Sequence, residues 1–106
     1  MAITLEKIQA AARADRIKWL YHALLRFRER GITREQAKRV IREGQIIEQY
    51  PKAKPLSKCL MMRILEDGRT LYVALAYDEN ADYIHVITVH WLDPEKWDDP
   101  WKRKKP

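Results

Sequence analysis

Lys18, His22, Arg26 and Arg30 follow one another at four-residue intervals. Residues four apart stack on a helix, so these side chains would line one flank. An imidazole among guanidinium groups suits phosphodiester chemistry. The ring moves protons near neutral pH, and guanidinium forks grip phosphate oxygens two at a time. A second group, Arg63, Tyr72, Thr88 and His90, falls in the strand-like half of the chain. Arginine and histidine beside a tyrosine hydroxyl can stabilise developing charge and carry out acid–base work. Each group also has a plain reading, as a solvated basic helix face or a polar cross-strand patch.

Other chemistries find no foothold. The single cysteine, Cys59, has no second cysteine for a disulfide or a zinc-finger site, and it fits a reducing cytoplasm. There is no glycine-rich phosphate loop, nucleophile elbow or defensible carboxylate pair. Neither a cofactor nor a metal is expected. The opening MAITLEKIQA has neither a basic nor an apolar signal region, and no apolar run is long enough for a membrane span. A cytoplasmic protein without membrane contact is the expectation.

Charge points toward a polyanion. The formal net charge is +6, and the excess is concentrated in residues 1–50 and in the closing WKRKKP. In residues 51–100 acidic side chains outnumber basic ones. That asymmetry is the footprint of one face meeting a negatively charged partner. At 106 residues the chain makes one domain (1–106), read as a helical part (1–44), a sheet part (45–97) and a basic tail (98–106).

Hydrophobic spacing predicts the elements that position the candidates. Thr4 caps a first helix carrying Leu5, Ile8 and Ala12. A second is predicted from Asp15 to Arg30, with Ile17, Leu20, Tyr21, Leu24 and Phe27 as its apolar stripe and Gly31 as its stop. Thr33 and Gln36 form a capping box for a third helix, ended by Gly44. Strands follow at Gln45–Tyr50, Lys58–Leu65, Thr70–Tyr77 and Tyr83–Trp91. The fold class is α+β, with helices packed on one face of an antiparallel meander.

A two-residue Asp67-Gly68 turn would pair Glu66 with Arg69 and set Arg63 opposite Tyr72. Leu71, Val73, Leu75 and Tyr77 would then face the helices with Ile87, Val89 and Trp91. His85 would join that apolar side as a structural histidine. Cys59, Met61, Arg63, Tyr72, Ala74, Thr88 and His90 would share the opposite face. Trp91, Trp97 and Trp101 read as covers for an open edge of the core more readily than as base-stacking platforms.

The run YHALLRFRERGITREQAKRVIREGQIIEQYP resembles the opening of a bacterial and archaeal family, domain of unknown function forty-two fifty-eight. Family blocks match at His22, Ala23, Arg26, Phe27, Glu29, Arg30, Gly31 and Ile32, then at Gly44, Ile46, Ile47, Glu48, Tyr50 and Pro51. VITVHWLDPEKW resembles the family's close through Trp97. Two departures stand out: Tyr72-Val73 replaces the usual His-Val, and His90 replaces the usual Tyr. Such an exchange preserves a proton carrier at each position, or marks a relative that has lost activity.

The resemblance implies a compact fold similar to RelE-like and BrnT-like toxin ribonucleases, which cut RNA without metal through attack of the 2′-hydroxyl. It implies RNA, on or off the ribosome, and an antitoxin protein as partners. On that reading His22, Arg26, Arg63, Tyr72 and His90 converge on one phosphate. His22 or His90 takes the 2′-hydroxyl proton, the other histidine or Tyr72 protonates the leaving 5′-oxygen, and Arg26 and Arg63 stabilise the added charge. Lys18, Arg30, Arg34 and Lys38 would bind the nucleic acid. Two alternatives stay open. One is a non-catalytic protein docking an acidic partner. The other is a helix-turn-helix DNA-binding module in RFRERGITREQAKRVI, with Arg34, Glu35 and Lys38 opening its recognition helix.

Overall fold

The Thr4 hydroxyl accepts from the Lys7 amide and starts α1 (Leu5–Arg13), which buries Ile8, Ala11 and Ala12. A computed structural model of the chain describes residues 3–99 and 102–103. After α1 the backbone does not re-enter a helix at Asp15, as the apolar spacing predicts. Asp15 sits in the left-handed region (φ 58°), which aspartate tolerates better than most residues, and turns the chain away. Residues Ile17–Trp19 then form a strand, β1. The predicted second helix therefore shrinks to α2 (Tyr21–Arg30), with Ala23 and Phe27 as its buried residues. Gly31 ends it at φ 62°. The Thr33–Gln36 capping box opens α3 (Arg34–Glu43), whose Ala37, Val40 and Ile41 enter the core.

The five-stranded sheet has the order β1-β5-β4-β3-β2, where β2 is Gln45–Tyr50, β3 Ser57–Ile64, β4 Thr70–Asp78 and β5 Tyr83–Trp91. All pairs are antiparallel except β1 with β5. A small hairpin, β6 (Trp97–Asp99) with β7 (Lys102–Arg103), follows. The architecture is α+β, as its order of helices and strands predicts. Leu71, Val73, Leu75, Tyr77 and Val89 join α1 and α3 residues in the main core.

Two local features shift the expected register. The turn after β3 holds three residues, because the Leu65 amide donates to the Arg69 carbonyl at 2.8 Å. Gly68 takes φ 87°, the left-handed position that such hairpins need. Arg63 consequently pairs with Leu71 and Met62 with Tyr72, so Cys59, Met61 and Arg63 lie on the helical side of the sheet. Second, a bulge interrupts the β4–β5 ladder between Ala74 and Leu75, leaving Ile87 as the extra residue. One added residue inverts side-chain parity. It lets Ile84, Val86 and Val89 all enter the core, where strict alternation would have placed Ile87, and it leaves Ile87 half-buried. It also turns His85 to the open face beside Ala76, against the expectation of an apolar setting.

Gly44 sits where α3 meets β3. A Cβ there would come within 3.0 Å of the Val40 and Met62 carbonyl oxygens, and neither backbone can easily retreat. Gly44→Ala should therefore cost about 1–3 kcal/mol in urea unfolding. Gly31→Ala, with open space around its Cβ, should lose about 1 kcal/mol to backbone strain alone.

Burial pushes the Cys59 thiol up to about 12, and burial, then its hydrogen bond to the Asp82 carboxylate, pushes the Tyr77 hydroxyl up to about 12. In the unfolded chain these groups ionise nearer 9.0 and 10.0, so the unfolded state loses protons first. Their stabilisation is complete below pH 9 and falls away as pH rises toward 12. Tyr77→Phe should flatten the decline above pH 10, measured as the urea midpoint against pH.

Candidate functional site

Strand β1 borders β5 only at Ile84, His85 and Val86, so the far half of that edge needs other partners. Helix α2 provides them. The Arg30 guanidinium donates to the Val89 carbonyl at 2.7 Å, and the Trp91 indole NH donates to the Arg30 carbonyl at 2.8 Å. The Leu20 amide, just before α2, donates to the Val86 carbonyl at 3.1 Å. Trp19 meets Phe27 edge-on at 5.5 Å, anchoring the helix from below. These contacts hold the last turns of α2 along the open end of β5. Arg26, one turn before Arg30, pairs with Glu29 at 2.7 Å.

Beyond β5 the chain folds back over the sheet. Asp93 organises the turn: its carboxylate accepts from the Glu95 amide, and its carbonyl from the Lys96 and Trp97 amides. Trp97, only 3% exposed, lands flat on Tyr72 with ring centres 4.4 Å apart. Tyr72 in turn stacks with His90 at 5.1 Å. Leu60 and Met62 complete this second, smaller apolar cluster.

Between α2 and the returning segment lies an open cleft of about 560 Å³. Arg26 and Arg30 form one wall, Thr88 and His90 the floor, and Lys96 with Trp97 the other wall. Trp91 and Asp93 also border the cleft. One imidazole thus shares a cavity with three cations and one carboxylate. Such a site favours a phosphate, which takes guanidinium and ammonium donors together. The aromatic rings offer less to a nucleobase. Trp97 is buried, and Arg69 lies 4.0 Å over the Trp91 ring.

The structure brings Arg26, Arg30, Thr88 and His90 together and stacks Tyr72, fully buried, against the His90 ring. It does not bring in His22, which stands exposed in the first turn of α2 outside the cleft lining. Arg63 is on the wrong side of the sheet for the shared site. It donates to the Glu43 carbonyl at 3.2 Å and lies 3.6 Å from the Glu43 carboxylate. The turn length after β3 is the reason.

Lys18 projects beside His85, its ammonium 5.1 Å from the centre of the Tyr83 ring. Arg34 borders a different groove, together with Tyr21 and Arg28. Lys38 reaches Asp15 at 3.4 Å. Lys96 and Asp93 are the residues that the sequence analysis missed. Pro94 and the spacing of Trp91 and Trp97 were the available signals that this segment turns back. Trp97 does cover the core, as expected, while Trp101 lies outside the described residues. Among the described residues no three His, Cys, Asp or Glu side chains stand together as metal ligands, and no helix is long and apolar enough to cross a membrane.

The Trp97 stack closes one face of the sheet, so Trp97→Ala should cost about 3 kcal/mol in thermal or urea unfolding. Trp97→Phe should recover much of that loss, because a ring would again cover Tyr72.

The chain belongs to the family described as domain of unknown function (DUF4258), whose model matches residues 19–91. The match begins in β1 and ends with β5, so it takes in both α2 and the cleft floor. No curated protein and no solved structure matches the chain.

Proposed function

We propose that this member of the family binds RNA in the α2–β5 cleft and cleaves it without a metal ion. The observation that carries the reading is His90 sharing one cavity with Arg26, Arg30 and Lys96. In this scheme the His90 imidazole takes the proton from a ribose 2′-hydroxyl. The freed oxygen attacks the adjacent phosphorus, and the bond to the 5′-oxygen breaks. Lys96 or water returns a proton to that leaving oxygen. The products are a 2′,3′-cyclic phosphate and a 5′-hydroxyl end. Arg26 faces the phosphate and offsets the charge that builds on it. Tyr72 acts through its stack on His90, by fixing the plane of that ring, and His22 has no place in the step. A toxin–antitoxin setting, with the ribosome as a source of substrate, belongs to the same proposal and rests on the resemblance to RelE-like and BrnT-like nucleases.

A second reading has its own support. Leu20, Tyr21 and Leu24 are large apolar side chains left exposed on or beside α2, Tyr21 by 73%. Tyr21 and Leu24 border a groove together with Arg28 and Arg34. An acidic protein partner with apolar contacts would suit that surface, whether or not RNA is cut. A helix-turn-helix gains less support. α3 packs on α1 and the sheet while α2 packs on β5, and Lys38 and Arg39 are already engaged by carboxylates.

Incubation with single-stranded RNA in excess chelator tests the chemistry. Cleavage to cyclic-phosphate ends should persist, and His90→Ala should slow it by about 10²–10⁴-fold. Arg26→Ala should slow it by about 10²-fold, and His22→Ala should leave it within twofold. RNA that stays intact while binding through Arg26 would overturn the cleavage step and leave RNA binding alone.

A further inference from the structure

Helix α2 carries apolar side chains on more than one side. Ala23 and Phe27 enter the core, while Tyr21 and Leu24 stay exposed and Leu25 is half-buried. The stripe of Ile17, Leu20, Tyr21, Leu24 and Phe27, whose spacing marks a core face, is thus buried only at Phe27. Its unburied part borders a groove of about 590 Å³ that runs from α2 to the start of α3. Buried Phe27 and Ile32 line the groove together with exposed Tyr21 and Leu24, and Arg28 and Arg34 are its charged members.

Successive residues of a helix turn by about 100°, so Tyr21, Leu24, Leu25 and Arg28 fall within an arc of about 100° on α2. Arg26 and Arg30, which line the cleft, lie at least about 100° outside that arc. Groove and cleft therefore use different sides of one helix. Among the described residues, neither a lysine nor a carboxylate borders the groove. Aromatic and arginine side chains without lysine or carboxylates are the composition of a protein-recognition surface.

Charge selects the occupant. Arg16, Arg26, Arg39, Arg63 and Arg69 each meet a carboxylate of the chain itself. Arg28 and Arg34 meet none among the described residues. A second copy seated here about a two-fold axis would bring arginine against arginine, which is repulsive. A flat bilayer would miss the buried Phe27 and Ile32. A row of apolar side chains flanked by carboxylates, as one face of an amphipathic helix presents, meets both needs.

We infer that this groove docks an acidic amphipathic segment of a protein partner, with its apolar side chains against Leu24 and Ile32 and its carboxylates on Arg28 and Arg34. The inference rests on the acidic-partner reading above and adds to it a site and a consequence. The docked segment occupies one side of α2 and leaves the cleft on the other side open.

Random dodecapeptides displayed on phage and selected on the full chain supply the probe. The selected sequences should be rich in Asp and Glu and carry at least one Leu, Ile, Phe or Trp. Synthesised and followed by fluorescence anisotropy, they should bind Arg28→Glu/Arg34→Glu about tenfold more weakly than the parent chain. Tyr21→Ala/Leu24→Ala trims exposed side chains, and it should weaken binding about tenfold with the urea midpoint unchanged. Arg13→Glu/Arg42→Glu makes the same change of charge away from the groove and should leave affinity within twofold. In the nitrogen-15-labelled chain the peptides should shift the amide signals of Tyr21, Leu24 and Arg34 and spare those of Thr88 and His90. Acidic peptides that bind Arg28→Glu/Arg34→Glu as tightly as the parent overturn the groove and leave the acidic-partner reading, moved to another basic face. Selection of neutral or basic peptides, or of none, overturns both. An equal loss in Arg13→Glu/Arg42→Glu, shifts centred on Thr88 and His90, or displacement of the peptide by phosphatidylserine vesicles or single-stranded RNA also overturns the groove.

Discussion

Strand β5 is longer than the strand that borders it, and a sheet edge cannot leave its peptide groups unmatched in a part-buried setting. β1 reaches only three residues of β5. The remaining obligation falls to Arg30, whose guanidinium takes the Val89 carbonyl, and the Trp91 indole returns a bond to the Arg30 carbonyl. That exchange sets where α2 lies, and the position of α2 sets where Arg26 lies. With the Trp19–Phe27 contact and the Leu20–Val86 hydrogen bond, it holds the helix beside His90. The cleft is thus a by-product of how a short edge strand is completed.

The sheet is buried differently on its two sides. Toward α1 and α3 it presents the aliphatic core, and toward solvent it carries the Tyr72, Met62, Leu60 and Trp97 cluster. This explains why TLYVALAYD reads as a nearly continuous apolar run: a central strand covered on both faces has no need for polar alternation. The cover on the second face comes from beyond residue 91, outside the segment matched by the family. The histidine therefore lies in the family segment, while Lys96 and Trp97, across the cleft from it, do not.

Local signals in the sequence were read well where the structure is local. The Thr33–Gln36 capping box and the Gly31 stop depend on contacts within a few residues. β1 was invisible because its partner lies at the other end of the chain. Ile17, Leu20 and Tyr21 fall at helical spacing by coincidence, and nothing nearby contradicts them. The two register errors came from a turn one residue longer than Asp67-Gly68 suggests and from a bulge that only tertiary packing selects. Together they moved Arg63 out of the site and His85 onto the open face. Arg26 and His90 line one cleft, and neither position depends on the β3–β4 register. His22 was drawn in by its four-residue spacing from Arg26, although the cleft is reached only from the later turns of α2.

The parallel β1–β5 pairing also governs the order in which the molecule can assemble. Arg16, beside β1, donates from its side chain to the Asp82 carbonyl, 66 residues away. The meander β3–β4–β5 joins neighbours through short turns, whereas β1 must close a loop around nearly the whole sheet before it gains anything. Loop closure costs entropy that grows with length, and non-local pairings of this kind are slow to form. The meander is therefore the part able to form first, with β1 and α2 docking onto a completed strand. Assembly of the cleft waits on a pairing between strands 67 residues apart, Ile17 with Ile84.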